Sequence, residues 1–395
     1  MSATVRAIQR KCGKKFGKYS KEWSAGKGGA AYGRFGSSFY FDIWAKTLNL
    51  PLYTARWHSN SMSLTVSPVP AAANGHFSST HTPTRALVLG GGSLKGAFQA
   101  GAVMAILESG FEPEAIYGIS VGSLNATFLA HEAARQYAET GRIDWPAAGR
   151  QLLEFWIRYI TRPQDVAVIR PRWRTGFNTL MSRFDGFLDN SPIKNLVRTN
   201  IDLNRLRASP IRLKVGAVDI VEGDINYVDA TSDHFIDYVF ASSALPFIMP
   251  AVQIGGDHRK AFLDGGLREV APLREAMEDG ATELVCVVCH ARRIFNERFN
   301  YRNLLNLMDR VKDITVNQIV NNDIAWAERF VAHETLRGRD IRLTLVRPTE
   351  PLYLNLMKFN SEDISHLIVQ GYQAATDVLR ARADSSPALR NVKAA

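Results

Sequence analysis

The stretch Tyr117-Gly118-Ile119-Ser120-Val121-Gly122-Ser123-Leu124-Asn125 constrains this chain more than any other. An apolar approach, a serine between two glycines and a small-residue run leading into 126–129 read as a strand, a sharp turn and a helix. Such a turn strains the serine and brings strand and helix together, so its neighbours must be minimal. Gly118 and Gly122 meet that requirement. Ser120 is then left at a helix N-terminus, where free N–H groups and the helix dipole favour negative charge. A G-x-S-x-G string arises readily in a chain with 29 glycines, so the remaining sequence must decide what this one does.

Residues 85–89 read as a short buried strand. Gly90-Gly91-Gly92-Ser93-Leu94-Lys95-Gly96 follows, then a helix over 97–109 that Gly110 stops. The next strand, 115–119, ends at the serine turn. Two parallel strands thus present their C-terminal ends side by side, at the edge where open α/β sheets bind ligands. As a dinucleotide fingerprint the glycine loop is off pattern: G-x-G-x-x-G needs glycine at Lys95, and an acid where Ser120 stands. A P-loop needs Lys and then Ser or Thr where Ala97 and Phe98 follow. An oxyanion hole is the reading that uses Ser120, because glycines leave backbone N–H groups bare and able to converge on one oxygen. A tight glycine turn without a ligand is the plainer alternative.

Further along, a helix is expected over 147–160, followed by an Arg-rich, aromatic stretch within 162–187. That stretch suits either a cover that meets a lipid surface or ordinary surface helices. Strands over 211–219 and 225–228 are joined through Glu222-Gly223-Asp224, and 240–250, with two prolines and several small residues, reads as a stiff loop. A strand over 260–263 ends in Asp264-Gly265-Gly266. A carboxylate placed there can reach into a cleft, although Asp-Gly is also a common turn. A helix over 272–279, a core strand over 284–289, a long helix over 304–336, a strand over 342–346 and a helix over 364–383 complete the pattern. The fold class is α/β, with a mainly parallel sheet covered on both faces.

Composition narrows the classes. With 395 residues and 46% apolar content the chain can bury a large core. No run of 18 apolar residues occurs, so no transmembrane helix is expected and membrane contact would be peripheral. Cys286 and Cys289 form a C-x-x-C string inside an apolar strand, where residues three apart face opposite ways. They read as core cysteines in a reducing, cytoplasmic compartment. The net charge of +10 is local: residues 1–60 hold eleven Lys or Arg against two acids, leaving +1 for everything beyond. Residues 1–83 are expected to be a mostly disordered extension. They would serve as a targeting segment, a grip on anionic lipid or nothing, with Met62 an alternative start.

Taken in order, Gly90–Gly96, Gly118-Ile119-Ser120-Val121-Gly122 and Asp264-Gly265-Gly266 resemble the patatin-like phospholipases, especially their bacterial members. The resemblance covers roughly residues 84–381 and includes the 241–250 loop, Val270-Ala271-Pro272-Leu273 and 359–372. It implies a three-layer α/β/α domain over 84–395 and a Ser-Asp dyad. Ser120 would be the nucleophile and Asp264 the base, without metal or cofactor. It also implies that the N–H groups of Gly91, Gly92 and Ser93 hold the oxyanion, with Lys95 supporting the loop or meeting lipid phosphate. The substrate would be a phospholipid or lysophospholipid, and no nucleic acid is expected as partner. The chain departs from the family at Ser93, where a third glycine is frequent; a backbone N–H survives that change unless the position needs positive φ. A triad would require His290, His333 or His366, of which His290 follows a core strand. A protein that binds acyl lipid without turnover remains the competing reading.

Overall fold

Alternation along the first strand sets the layers. In β1 (Arg85–Leu89), Leu87 and Leu89 enter one buried cluster while Ala86 and Val88 enter another, so both faces of the sheet are covered. This is a computed structural model, and it describes residues 84–170, 186–246, 248–256, 259–295, 302, 304–354 and 358–385. The basic N-terminal segment and most of the aromatic stretch expected as a cover lie outside the described residues.

The element order follows the alternation read from the sequence. α1 (Gly96–Glu108) leads to β2 (Ala115–Ile119), α2 (Val121–Thr140) and α3 (Trp145–Tyr159), which Asp144 caps by accepting the Ala147 N–H at 2.8 Å. Two short strands, β3 (Val168–Ile169) and β4 (Leu188–Asp189), pair with each other and precede α4 (Ser191–Asn200) and α5 (Leu203–Arg207). Then come β5 (Arg212–Asp219), β6 (Ile225–Asp229), α6 (Phe235–Ser242), β7 (Phe262–Asp264), α7 (Leu273–Glu278), β8 (Glu283–Val287), α8 (Leu304–Leu336), β9 (Arg342–Val346) and α9 (Ser361–Ser385).

The sheet runs β6-β5-β2-β1-β8-β9, parallel from β5 through β9. β6 and β7 both run antiparallel to β5. The turn through Gly223, at φ 78°, makes the β5–β6 hairpin expected there. α1, α2, α3 and α9 pack on one face, and α7 and α8 on the other. α9 crosses α1 at two glycines: a Cβ on Gly101 would lie 1.9 Å from the Ile368 oxygen, and one on Gly371 1.8 Å from the Phe98 oxygen.

Two local expectations change. Residues 240–242 form the last turn of α6 rather than loop, because Phe235, Val239 and Phe240 are buried at helical spacing. The strand before Gly265 runs over Phe262–Asp264 rather than 260–263, so Asp264 is its last residue, opposite Ala217. The cysteines separate as the strand geometry requires: Cys286 packs in the α7/α8 cluster, whereas Cys289 lies past β8 with its thiol against the Lys95 carbonyl at 3.4 Å.

Candidate active site

β2 delivers Ser120 to the C-terminal edge of the sheet, between the ends of β1 and β5. Its backbone sits at φ 56° and ψ −127°, a conformation that costs about 1–3 kcal/mol for a residue with a Cβ. Hydrogen bonds hold it there. The Ser120 N–H donates to Ser242 Oγ at 2.8 Å, and the Ser120 carbonyl accepts Ser123 Oγ–H at 2.6 Å and Ser243 Oγ–H at 3.3 Å. Close approach enforces the flanking glycines. A Cβ on Gly122 would lie 2.0 Å from the Leu89 oxygen, and one on Gly118 2.5 Å from the Gly122 oxygen.

Asp264 comes from β7, which runs antiparallel to β5 along the edge that β2 occupies, just beyond β2's end, and both side chains are buried. Ser120 Oγ–H donates to Asp264 Oδ2 at 2.6 Å, and the Gly266 N–H donates to Oδ1 at 2.8 Å. Gly265 packs against the Gly216 carbonyl, where a Cβ would stand 2.6 Å from the oxygen. Burial pushes the Asp264 carboxyl up to about 6, opposed by the two hydrogen bonds and by the charge of Lys312. A carboxylate so placed takes a proton more readily than one in water.

The glycine loop corrects one expectation. The Gly91 N–H donates to the Val270 carbonyl at 2.9 Å, so it is already committed; Gly91 instead packs on the serine, with its Cβ position 3.2 Å from Ser120 Cβ. Among the described residues, no hydrogen bond occupies the N–H groups of Gly92, Ser93 or Val121. Val121, the first residue of α2, is a donor that the motif reading missed, although the open N-terminus of any helix signals it. Ser93 sits at φ 54°, the condition under which the missing third glycine matters. Lys95 supports the loop through its backbone, its N–H reaching the Gly92 carbonyl at 3.1 Å.

A buried polar network fixes the loop from behind. The Gln99 amide donates to the carbonyls of Gly90 and Val287, and Asn125 Nδ2 donates to Gln99 Oε1 and to the Gly96 carbonyl. Asn125 Oδ1 accepts Trp156 Nε1–H at 2.8 Å. On the other side, Asp323 Oδ2 accepts the N–H groups of Val270 and Ala271. Nothing local marks Gln99, Asn125, Asp323 or Ser242 in the sequence, because their partners lie in distant segments.

Trp156 also lines a cleft that opens beside Ser120. Leu124, Phe155, Ile160, Phe240 and Met249 form much of its wall, and Ser93, Ser120, Asn190 and Ser243 are its polar members. Such a lining accepts an alkyl chain and gives it little to hydrogen-bond. His290 does not join the pair: among the described residues no hydrogen bond links it to Ser120 or Asp264. Burial, with the charges of Lys95, Lys312 and Arg347, pushes its imidazole down to about 3 and keeps it neutral. His333 and His366 are exposed on α8 and α9. No cluster able to hold a metal ion occurs among the described residues.

Residues 87–277 match the family model described as Patatin-like phospholipase. Over those residues the chain is similar to a patatin-like phospholipase domain. The match ends before β8, so the strands β8 and β9 and the helix bearing Asp323 lie beyond it. YjjU, an uncharacterized protein of Escherichia coli (strain K12), is 24% identical over 272 residues, 67% of this chain and 65% of YjjU. The chain therefore spans less than two thirds of that relative. Among solved structures, VipD from Legionella pneumophila aligns over 76% of this chain and 67% of its own, at 14% identity and a TM-score of 0.38. The type III effector ExoU aligns over 76% and 53%, at 14% identity and a TM-score of 0.29.

Proposed function

We propose that this protein is a phospholipid or lysophospholipid acyl hydrolase that cleaves carboxylic esters through an acyl-Ser120 intermediate, the activity residing in residues 84–395. The observation that carries the reading is the 2.6 Å hydrogen bond from Ser120 Oγ to Asp264 Oδ2 at the edge of an apolar cleft.

An acyl chain lies in the cleft with its ester carbonyl at Ser120. Oγ attacks the carbonyl carbon while Asp264 Oδ2 takes the hydroxyl proton. The oxygen that gains charge meets the unoccupied N–H groups of Gly92 and Ser93, with Val121 at the positive end of α2 beside them. Collapse breaks the bond to the alcohol oxygen, which leaves with the proton from Asp264. Water then attacks the acyl-enzyme, Asp264 takes its proton, and collapse returns that proton to Oγ with release of the fatty acid. Each proton that enters the carboxyl leaves it within the cycle.

The test is labelling with a fluorophosphonate lipid analogue, followed by mass mapping, on the parent and on Ser120→Ala. Modification at Ser120, lost in the variant, supports an activated serine. No modification of the parent, with detergent or anionic vesicles present, overturns the reading in favour of an acyl-lipid-binding protein on the same fold.

A further inference from the structure

α8 packs one side into the core and, in its N-terminal third, shows a separate apolar side to solvent. Its inner side continues into Val320, Ile324 and Ala327, which pack against the sheet. Its outer side shows Leu307, Val311 and Ile314 at i, i+4 and i+7, with Val311 55% and Ile314 51% exposed. A stripe of this kind on a solvent face calls for a cover.

Two hydrogen bonds extend the surface. The Arg310 guanidinium donates to the Ile294 carbonyl at 3.2 Å, fixing the segment after β8 beside the start of α8. Tyr353 Oη–H donates to the Phe295 carbonyl at 2.7 Å. Phe295 and Tyr353 are themselves 69% and 70% exposed. Apolar and aromatic side chains from three segments thus share one region, and Arg292, Arg293 and Arg302, in the sequence that leads into it, are exposed. Residues 290–313 contain six basic residues and three acids.

We propose that this face seats the protein on an anionic lipid bilayer. Charge selects the occupant. The chain's own N-terminal segment carries net +9 over residues 1–60 and is repelled by a basic rim, and a second copy would bring the same positive rim against itself across a two-fold axis. An anionic bilayer attracts the arginines, while its interface takes up aromatic and branched side chains. The proposal adds a docking surface to the hydrolase reading and does not depend on turnover.

Flotation of the full chain bearing Ser120→Ala, which leaves vesicles intact, separates docking from chemistry. With vesicles of phosphatidylcholine and phosphatidylglycerol the protein is expected to float, less so at high salt and weakly with phosphatidylcholine alone. Adding Val311→Asp and Ile314→Asp should cut the bound fraction about tenfold. Phe295→Asp, outside the helix, should act in the same direction, and thermal midpoints report that each variant is folded. Unchanged flotation of both variants, or no flotation of the parent, overturns the proposal. Loss of binding only on removal of residues 1–60 also overturns it, by assigning attachment to the basic segment. A dimer in solution that the Asp pair disperses overturns it in favour of a second copy.

Discussion

Asp323, near the middle of α8, accepts the Val270 N–H at 2.8 Å, and Val270 passes its carbonyl to the Gly91 N–H at 2.9 Å. The same carboxylate oxygen takes the Ala271 N–H at 3.0 Å. A residue 232 positions from Gly91 in the chain thus anchors the loop that faces Ser120. Asp323→Ala should lower kcat about tenfold with little change in KM, because the donors at the oxyanion position lose their registration. Stability should fall by about 2–3 kcal/mol as two buried N–H groups lose their acceptor. Asp323→Asn, which keeps an acceptor oxygen, should recover most of both. Steady-state kinetics on a soluble ester with denaturant titration checks this; a rise in KM alone counts against it.

The buried carboxyl of Asp264 ties activity to pH. Its pKa is about 6 in the fold against an ordinary value of 3.8, so kcat/KM should rise with pH through an apparent pKa near 6 as the base ionises. Stability should move the other way. Between pH about 4 and 6 the folded state holds more protons at this group than the unfolded chain, so the group's contribution falls as pH rises through that window. Asp264→Asn should therefore be inactive, yet melt above the parent at pH 7.5 and lose that advantage near pH 4. A parent profile without the limb near 6 would show that another group sets the ionisation.

Ser93 occupies φ 54° without the freedom of glycine. Ser93→Gly should retain activity and change stability by no more than about 1 kcal/mol, since relief of strain is offset by the looser unfolded chain. Ser93→Val should lose both activity and stability, because a β-branched side chain tolerates this conformation worst. Equal behaviour of the two variants, by kinetics and thermal melts, would show that the position bears no strain.

Asn125 joins Gly96, Gln99 and Trp156. Asn125→Ala should cost about 2–4 kcal/mol by leaving buried donors and acceptors unpaired. Turnover of long-chain esters should fall more than that of short ones, because Trp156 lines the cleft. A chain-length series of p-nitrophenyl esters checks this, and a uniform loss counts against it.

His290→Ala should leave the pH dependence of soluble-ester turnover in place, since the imidazole is neutral and lacks a hydrogen bond to either member of the pair. Loss of the ionisation near 6 in a folded His290→Ala protein would argue for a triad.

The order of strands and helices was legible because it rests on local rules. Glycine stops, buried apolar runs and the G-x-S-x-G turn act over a few residues, and they fixed where β1, β2, α1 and α2 begin. The three motifs in register pointed to Ser120 and Asp264 for the same reason. Their contact was not local: it requires β7 to return antiparallel along β5, a pairing that no residue near Asp264 specifies. The Gly91 donor was misread because a glycine in sequence shows only that an N–H is accessible, and the Val270 carbonyl that occupies it lies 179 residues away.

What the sequence determined alone was the alternating α/β order, the elbow with its two compulsory glycines and which serine and aspartate the proposed acyl transfer would use. Tertiary structure decided which N–H groups stay open, that Asp264 is buried beside Ser120, and that Asn125, Ser242 and Asp323 hydrogen-bond the segments around them. The physical reason is one of range. Backbone sterics and side-chain periodicity act between neighbours in the chain, whereas desolvation and hydrogen-bond partnership depend on what packing brings alongside.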